Sequence, residues 1–471
     1  MNILVEKGTD LRHDSVGKLL FKLAVPAILA QVINTLYNIV DRIYIGSLPG
    51  EVGTQSIAAL GVCLPLIMIV SALGAMIGVG GSALAAIRMG EEQQEKAETI
   101  LGNCLPLLVG ISAVVTLVCR LFLKDLLLLV GATENTLGYA AQYFGLYVWG
   151  TLPVLLVLGL NMFINTQGFA TTSMLTVLLG AVCNIVLDPI LIYGCNMGVR
   201  GAAIATVLSQ TVSAVWVLCF LCGKKTRLRL RVSRMRPQWG LIGSVLALGL
   251  SPFIMQSTES LVVIVINTTL KAVSPDLATA DLYISAYSII ASVMQLVLLP
   301  VQGLGQGLHP IISYNYGAKQ FDRVKRTFWL CLRSCLAFVL LVWAAVMAVP
   351  GVFVRLFNSD PTLLALTVPA MRIYMCMLMT ISVQFTCQQT FVATGQAKAS
   401  LLLALLRKIL LLIPLILIFS RIWGTLGVFI AEPVADTLAA TITGWMFFRY
   451  RRTIFEGLPH RQPKHKEENA L

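Results

Sequence analysis

The chain has 471 residues, of which 57% are apolar and only 12% charged, with 35 Lys and Arg against 22 Asp and Glu. So much apolar surface excludes a soluble globular domain and makes a bilayer the solvent. The net charge of +13 implies no nucleic-acid partner, because the basic residues gather in the breaks between apolar runs, where they set topology.

In chain order, a short segment, 1–17, precedes twelve apolar stretches, each about as long as a helix needs to cross a membrane. They are predicted at 18–46, 57–87, 99–123, 135–159, 170–193, 200–222, 239–270, 282–308, 324–349, 362–392, 399–420 and 424–449. The expected class is an all-α polytopic membrane protein, since a barrel would show shorter segments of alternating hydrophobicity. The first run is too long for a cleavable signal peptide and continues through Pro26 to Asp41 without a small-residue cleavage site.

Basic residues divide the chain. Stretch 223–238 carries Lys224, Lys225, Arg227, Arg229, Arg231, Arg234 and Arg236, and the tail, 451–471, adds Arg451, Arg452, Arg461, Lys464 and Lys466. The loop after the first span, 47–56, has no Lys or Arg. The positive-inside rule then puts both termini and the central linker in the cytoplasm, consistent with an even number of spans. Helices 1–6 occupy 18–222, a basic linker 223–238, helices 7–12 239–450, and a basic tail 451–471.

The two halves superpose at an offset of about 226, as duplicated transporter halves do. Pro26 falls on Pro252, Gly198 on Gly424, Gly201 on Gly427 and Ala205 on Ala431. The same register sets Asp41 against Asn267 and Asp188 against Pro414, so the first half carries two acids that the second lacks. A symmetric scaffold with asymmetric buried charge is what an ion-driven pump needs.

Ionisable groups in the hydrocarbon cost about 2.5–3.5 kcal/mol at a helix centre and therefore need a reason. Asp41 sits near the outer end of the first span; Asn184 and Asp188, at i and i+4, share one face of the fifth; Thr206 lies one to two turns into the sixth. Two carboxylates, an amide and a hydroxyl at one depth can bind a small cation or share a proton. The bland alternative pairs Asp41 with Arg42 or Arg200 and makes Asp188 a cap for a kink at Pro189.

The second half has a deeper set, with Glu259 on the seventh span and Glu432 and Asp436 at i and i+4 on the twelfth. The competing reading is an ion pair with Arg407 or Arg372. Gln256, Gln306, Gln384 and Gln388 add uncharged polar groups, which more often join helices than touch substrate. The eleven cysteines include one C-x-x-C, Cys219 and Cys222, and the four histidines His13, His309, His460 and His465 are dispersed. No metal set and no nucleophile–base pair is expected, so neither an enzyme nor a cofactor is.

Several of these segments together resemble the multidrug and toxic compound extrusion family, in the style of its bacterial branch. They are Pro26 with Tyr37-Asn-Ile-Val-Asp41-Arg-Ile-Tyr44-Ile-Gly46, then Asn184-Ile-Val-Leu-Asp188-Pro189 followed by Gly198-Val-Arg-Gly201-Ala-Ala-Ile-Ala-Thr206. Pro300-Val-Gln-Gly303-Leu-Gly-Gln306-Gly307-Leu-His-Pro310 through Tyr314 to Gly317 is similar to the family's eighth-helix signature. The resemblance spans nearly the whole chain. It implies two pseudo-symmetric six-helix lobes forming a V-shaped central cavity, and export of organic cations and amphipathic drugs in exchange for H+ or Na+.

On that resemblance Asp41, Asn184, Asp188 and Thr206 form the ion-coupling site, and Pro26 is the hinge. Glu259 matches a seventh-helix acid, whereas the tenth-helix acid that accompanies it in some members is missing from Arg372-Ile-Tyr-Met-Cys-Met-Leu-Met-Thr380. Gln31, Asn34, Tyr37, Gln256, Gln306 and Gln384 are the substrate-cavity candidates. The expected protein is a monomer in the plasma membrane of a bacterial cell, with drug molecules and membrane lipids as its partners. The alternatives are a lipid-linked saccharide flippase of the same wider superfamily and an exporter of one endogenous metabolite.

Overall fold

A computed structural model describes residues 9–49, 51–358 and 360–458. His460, His465 and the basic residues expected beyond 458 lie outside the described residues. Among the described residues all regular structure is helical.

Among the described residues six long helices form the first lobe: α1 (Val16–Gly46), α2 (Glu51–Gly90), α3 (Gln94–Leu121), α4 (Glu134–Thr166), α5 (Ala170–Gly194) and α6 (Val199–Cys222). The second lobe holds α7 (Trp239–Val273), α8 (Leu277–Gly317), α9 (Phe321–Ala348), α10 in two pieces (Pro361–Tyr374 and Thr380–Ala393), α11 (Ala397–Trp423) and α12 (Thr425–Glu456). Eleven of these twelve are long and apolar enough to cross a bilayer unbroken. The exception is α10, which unwinds between its two pieces.

Ends are set by local chemistry. Asp360 caps α10, accepting from Thr362 N at 3.4 Å and Leu363 N at 3.2 Å, with Pro361 in the first turn, where no hydrogen bond is lost. Asp276 caps α8 by accepting from Thr279 N at 2.7 Å. The break in α10 falls in a methionine-rich segment with neither Pro nor Gly, so nothing in composition announces it. Its freed Cys376 carbonyl accepts the Trp343 indole N–H at 2.9 Å, as an exposed backbone group inside a membrane protein requires.

Other boundaries move outward. The spans expected at 135–159 and 282–308 extend to Thr166 and Gly317. Helix α12 runs to Glu456, six residues into the segment read as tail. The basic linker is pinned to the first lobe. The Gln167 side-chain oxygen accepts from Arg227 N at 2.7 Å and Leu228 N at 2.8 Å, Leu228 is fully buried, and Arg231 and Arg234 both reach Glu98.

The duplication is physical. Gly198 and Gly424 precede α6 and α12 with nearly the same backbone, φ 54° and 58°, a conformation that disfavours any side chain. A Cβ at Gly201 would strike the backbone of Leu191, and one at Gly427 the backbone of Phe419, so each lobe folds the end of its fifth helix onto its sixth in the same way.

The lobes meet through α1 against α8 and α2 against α7. Gly303 and Gly307 of α8 lie against the backbone of Ile28 and Ala24, Gly249 against Met76, and Gly317 against Ile87. All of these contacts fall toward the end of the molecule that carries the basic linker. A hydrophobic core there is built from both lobes, with Leu11, Leu19 and Leu23 packed among Leu308, Ile311 and Phe391.

Candidate functional site

The first cluster is set by α1 and α5. Asp41, Asn184 and Asp188 are all buried. Because α5 is regular up to Asp188, positions 184 and 188 stack on one face, and Asn184 Nδ2 donates to Asp188 Oδ1 at 3.3 Å. The Asp41 and Asp188 carboxyl groups are neighbours. Among the described residues three acceptors here find no hydrogen-bond partner: Asp41 Oδ1, Asn184 Oδ1 and Asp188 Oδ2. A buried oxygen left unpaired costs on the order of 1–3 kcal/mol, more for a charged group. A proton or a small hard cation among these three oxygens would satisfy them.

Neither bland pairing is present. Asp41 and Asp188 form no ion pair among the described residues, and Arg200 Nε instead donates to Gln142 Oε1 at 3.2 Å. After Pro189 the helix ends in one wide turn, Ile190–Gly194.

Thr206 stands one step back. It donates to its own Ala202 carbonyl at 3.0 Å and lies beside Tyr143, which is close enough to Asp41 to feel its charge. Tyr143 of α4 stacks on Tyr147 at 6.3 Å, and both are buried. Sequence reasoning missed these tyrosines. Their only signal is two hydroxyl-bearing rings four residues apart in an apolar run.

The second-lobe acids are neutralised by neighbours. Arg407 Nε donates to Asp436 Oδ1 at 2.7 Å, and Arg407 Nη2 lies 3.5 Å from Glu432 Oε1. Lys408 Nζ lies 2.5 Å from Glu259 Oε1. On a regular helix two consecutive residues point about a quarter turn apart. Both cations stand in a widened, π-helical segment of α11, Leu406–Leu412, and reach acids on two different helices, Arg407 those on α12 and Lys408 that on α7. Of the two competing ion pairs the one with Arg407 is observed, while among the described residues Arg372 is exposed without an ion pair and Glu432 Oε2 has no hydrogen-bond partner.

Among the described residues the side chains of Gln31, Asn34, Gln256, Gln306 and Gln384 make no hydrogen bond, and none is fully buried. Tyr37 lies on the α1 face that bears Asp41. Gln388 is different, buried and donating to Ser251 Oγ at 2.7 Å and Ser400 O at 2.8 Å, a joint between α7, α10 and α11. Helix α1 passes through Pro26 without a break, and Pro26 lies between Ala24 and Ile28 on the seam with α8.

A duplicated twelve-helix bundle with acids buried between helices defines a multi-pass membrane transporter. The family model MatE matches residues 26–190 and again 256–418, and the chain belongs to that family. It is 24% identical over 444 residues to the multidrug export protein MepA of Staphylococcus haemolyticus, covering 94% of this chain and 95% of that protein. MepA of Staphylococcus aureus is 24% identical over 425 residues, covering 90% and 92%. Among solved structures, a MATE family multidrug resistance transporter in an outward-facing conformation has the same fold, with a TM-score of 0.86, 23% identity and coverage of 97% and 100%. So does a MATE crystal structure in a bent conformation, with a TM-score of 0.87, 24% identity and coverage of 96% and 99%.

Proposed function

We propose that this chain is a cation-coupled multidrug antiporter that exports organic cations and amphipathic drugs by alternating access. It would act in the plasma membrane of a bacterial cell with both termini cytoplasmic. The observation that carries the proposal is the buried group of unpaired oxygens on Asp41, Asn184 and Asp188. With the cavity open outward, H+ or Na+ binds there and neutralises the acids. Helix α1 then bends near Pro26, drug affinity falls and the drug leaves. Return to the inward-open form delivers the coupling ion to the cytoplasm. One positive charge falling through 100 mV supplies roughly 2.3 kcal/mol to the cycle.

The full burial of Asn184 and Asp188 supports a site where the coupling ion must be shed into a gated path. The unpaired amides of Gln31, Asn34, Gln256, Gln306 and Gln384 suit a wet cavity that accepts varied cargo. A flippase would need free cations for pyrophosphate, and Arg407 is committed to Glu432 and Asp436. The test is ethidium efflux from proteoliposomes under an imposed pH or Na+ gradient, for the native chain and Asp41→Asn. Efflux driven by one gradient and lost in the variant names the ion. Equal efflux in both proteins removes Asp41 from the mechanism.

A further inference from the structure

At the end of the molecule that carries the basic linker, the start of α1 and the outer flank of α9 enclose a crevice of 710 Å³. Its floor is Val16 and Gly17 from the first lobe, and its wall is one face of α9 from the second. Three cations line it, Lys325, Arg326 and Arg333, all exposed and without a hydrogen bond or ion pair among the described residues. One carboxylate, Asp322, stands at the rim. Arg323 also borders it but is already committed, donating to Asn315 Oδ1 at 2.9 Å, Leu11 O at 3.1 Å and Asp14 O at 2.7 Å.

The spacing is informative. Arg326, Trp329 and Arg333 follow i, i+3, i+7 and so form one stripe about 10 Å long. Trp329 is 44% exposed, an amphipathic ring of the kind found at headgroup level. Helix α9 has 28 residues, about 42 Å at 1.5 Å per residue, so it exceeds a hydrocarbon core of about 30 Å by about 12 Å. Arg333 lies about 18 Å along the axis from the helix start. Even if the whole excess projected at this end, the Arg333 backbone would sit below the hydrocarbon boundary. From that depth the guanidinium snorkels up to the headgroup level, where an anion can meet it.

We propose that this crevice binds the phosphodiester headgroup of an anionic phospholipid. Arg326 and Arg333 grip the phosphate, a geometry that guanidinium groups match bidentately. Lys325 adds positive charge at the rim, and the acyl chains run down the apolar flank of α9 past Trp329. Because the floor belongs to one lobe and the wall to the other, the bound lipid braces the lobes where they already touch. Anionic lipid would therefore favour the form that is closed at this end.

The full chain is reconstituted in nanodiscs of phosphatidylcholine, with and without phosphatidylglycerol, and its thermal midpoint is measured. Phosphatidylglycerol should raise the midpoint of the native chain by several degrees. The rise should vanish in Arg326→Gln/Arg333→Gln and persist in Arg449→Gln/Arg452→Gln, which removes equal charge from α12. An undiminished rise in the first variant, or equal loss in the second, overturns the site. If inorganic phosphate in phosphatidylcholine discs reproduces the rise, the crevice takes a soluble anion and the lipid assignment fails. Photoactivatable phosphatidylglycerol on the native chain supplies a test that needs no variant. Labelling concentrated in peptides containing 325–333 supports the site, and labelling spread evenly over all lipid-exposed helices rejects it.

Discussion

Lys408 Nζ sits 2.5 Å from Glu259 Oε1, and the two ends of this ion pair are unequally enclosed by protein, with side-chain exposures of 9% for lysine and 54% for glutamate. Removing either partner should therefore have different costs. Glu259→Gln strands a nearly enclosed ammonium and should destabilise by about 1–3 kcal/mol, below the figure for a fully buried pair. Lys408→Met leaves a carboxylate that protein encloses only in part and should cost less than Glu259→Gln. Thermal unfolding of both variants in one detergent checks the asymmetry, and equal losses would contradict it.

Arg407 compensates two acids one helical turn apart, Glu432 and Asp436. Arg407→Met should destabilise the second lobe by about 3–5 kcal/mol, because it leaves two like charges buried together. Adding Glu432→Gln and Asp436→Asn should recover most of that loss. Unfolding midpoints of the single and triple variants decide this, and no recovery would mean that packing of the arginine stem is what matters.

At the first-lobe site, Asp41→Asn and Asp188→Asn each remove a buried carboxylate that has no cationic partner among the described residues. Both variants should fold as well as the native chain or better, since an unpaired charge no longer has to be desolvated. Both should lose gradient-driven efflux. A variant that unfolds readily would make the acid structural instead.

The seam between the lobes tolerates no side chain at certain glycines. A Cβ at Gly249 would collide with the Met76 carbonyl, and backbone cannot step aside. Gly249→Ala should push the lobes apart at the basic end, whereas Gly61→Ala, with nothing within 4 Å, should be silent. Labelling of Gln306→Cys by an impermeant maleimide added from the basic side should speed up in the first background only.

The N-terminal strap is a second clasp on that seam. Thr9 Oγ1 donates to Gly168 O at 2.7 Å in the first lobe, while Arg323 of the second donates to Leu11 O and Asp14 O. Arg323→Ala should free the strap, and hydrogen exchange at residues 9–14 should accelerate while the exchange of α5 stays unchanged.

How much of this was legible follows from the range over which each feature is decided. Membrane class, twelve runs and the duplication are sums over many residues, so Pro26 with Pro252 and Gly198 with Gly424 stand out in the bare chain. Asn184 and Asp188 were readable as neighbours because helical period alone stacks them. The break in α10 was not readable, because its stability depends on Trp343, more than thirty residues earlier, donating to the Cys376 carbonyl. Tyr143 gave little sign, since its place beside Thr206 depends on how α4 packs on α6.

The sequence by itself determined that the chain crosses a bilayer, that it is built twice, and that its acids are distributed unevenly between the copies, because composition and helical period act locally. The tertiary structure alone decided which acids are neutralised. Arg407 and Lys408 stand in the widened turn of α11, and only the packing of that turn against α7 and α12 brings them to Asp436 and Glu259. Among the described residues Asp41 and Asp188 form no ion pair, a fact that depends on where every neighbouring helix ends up.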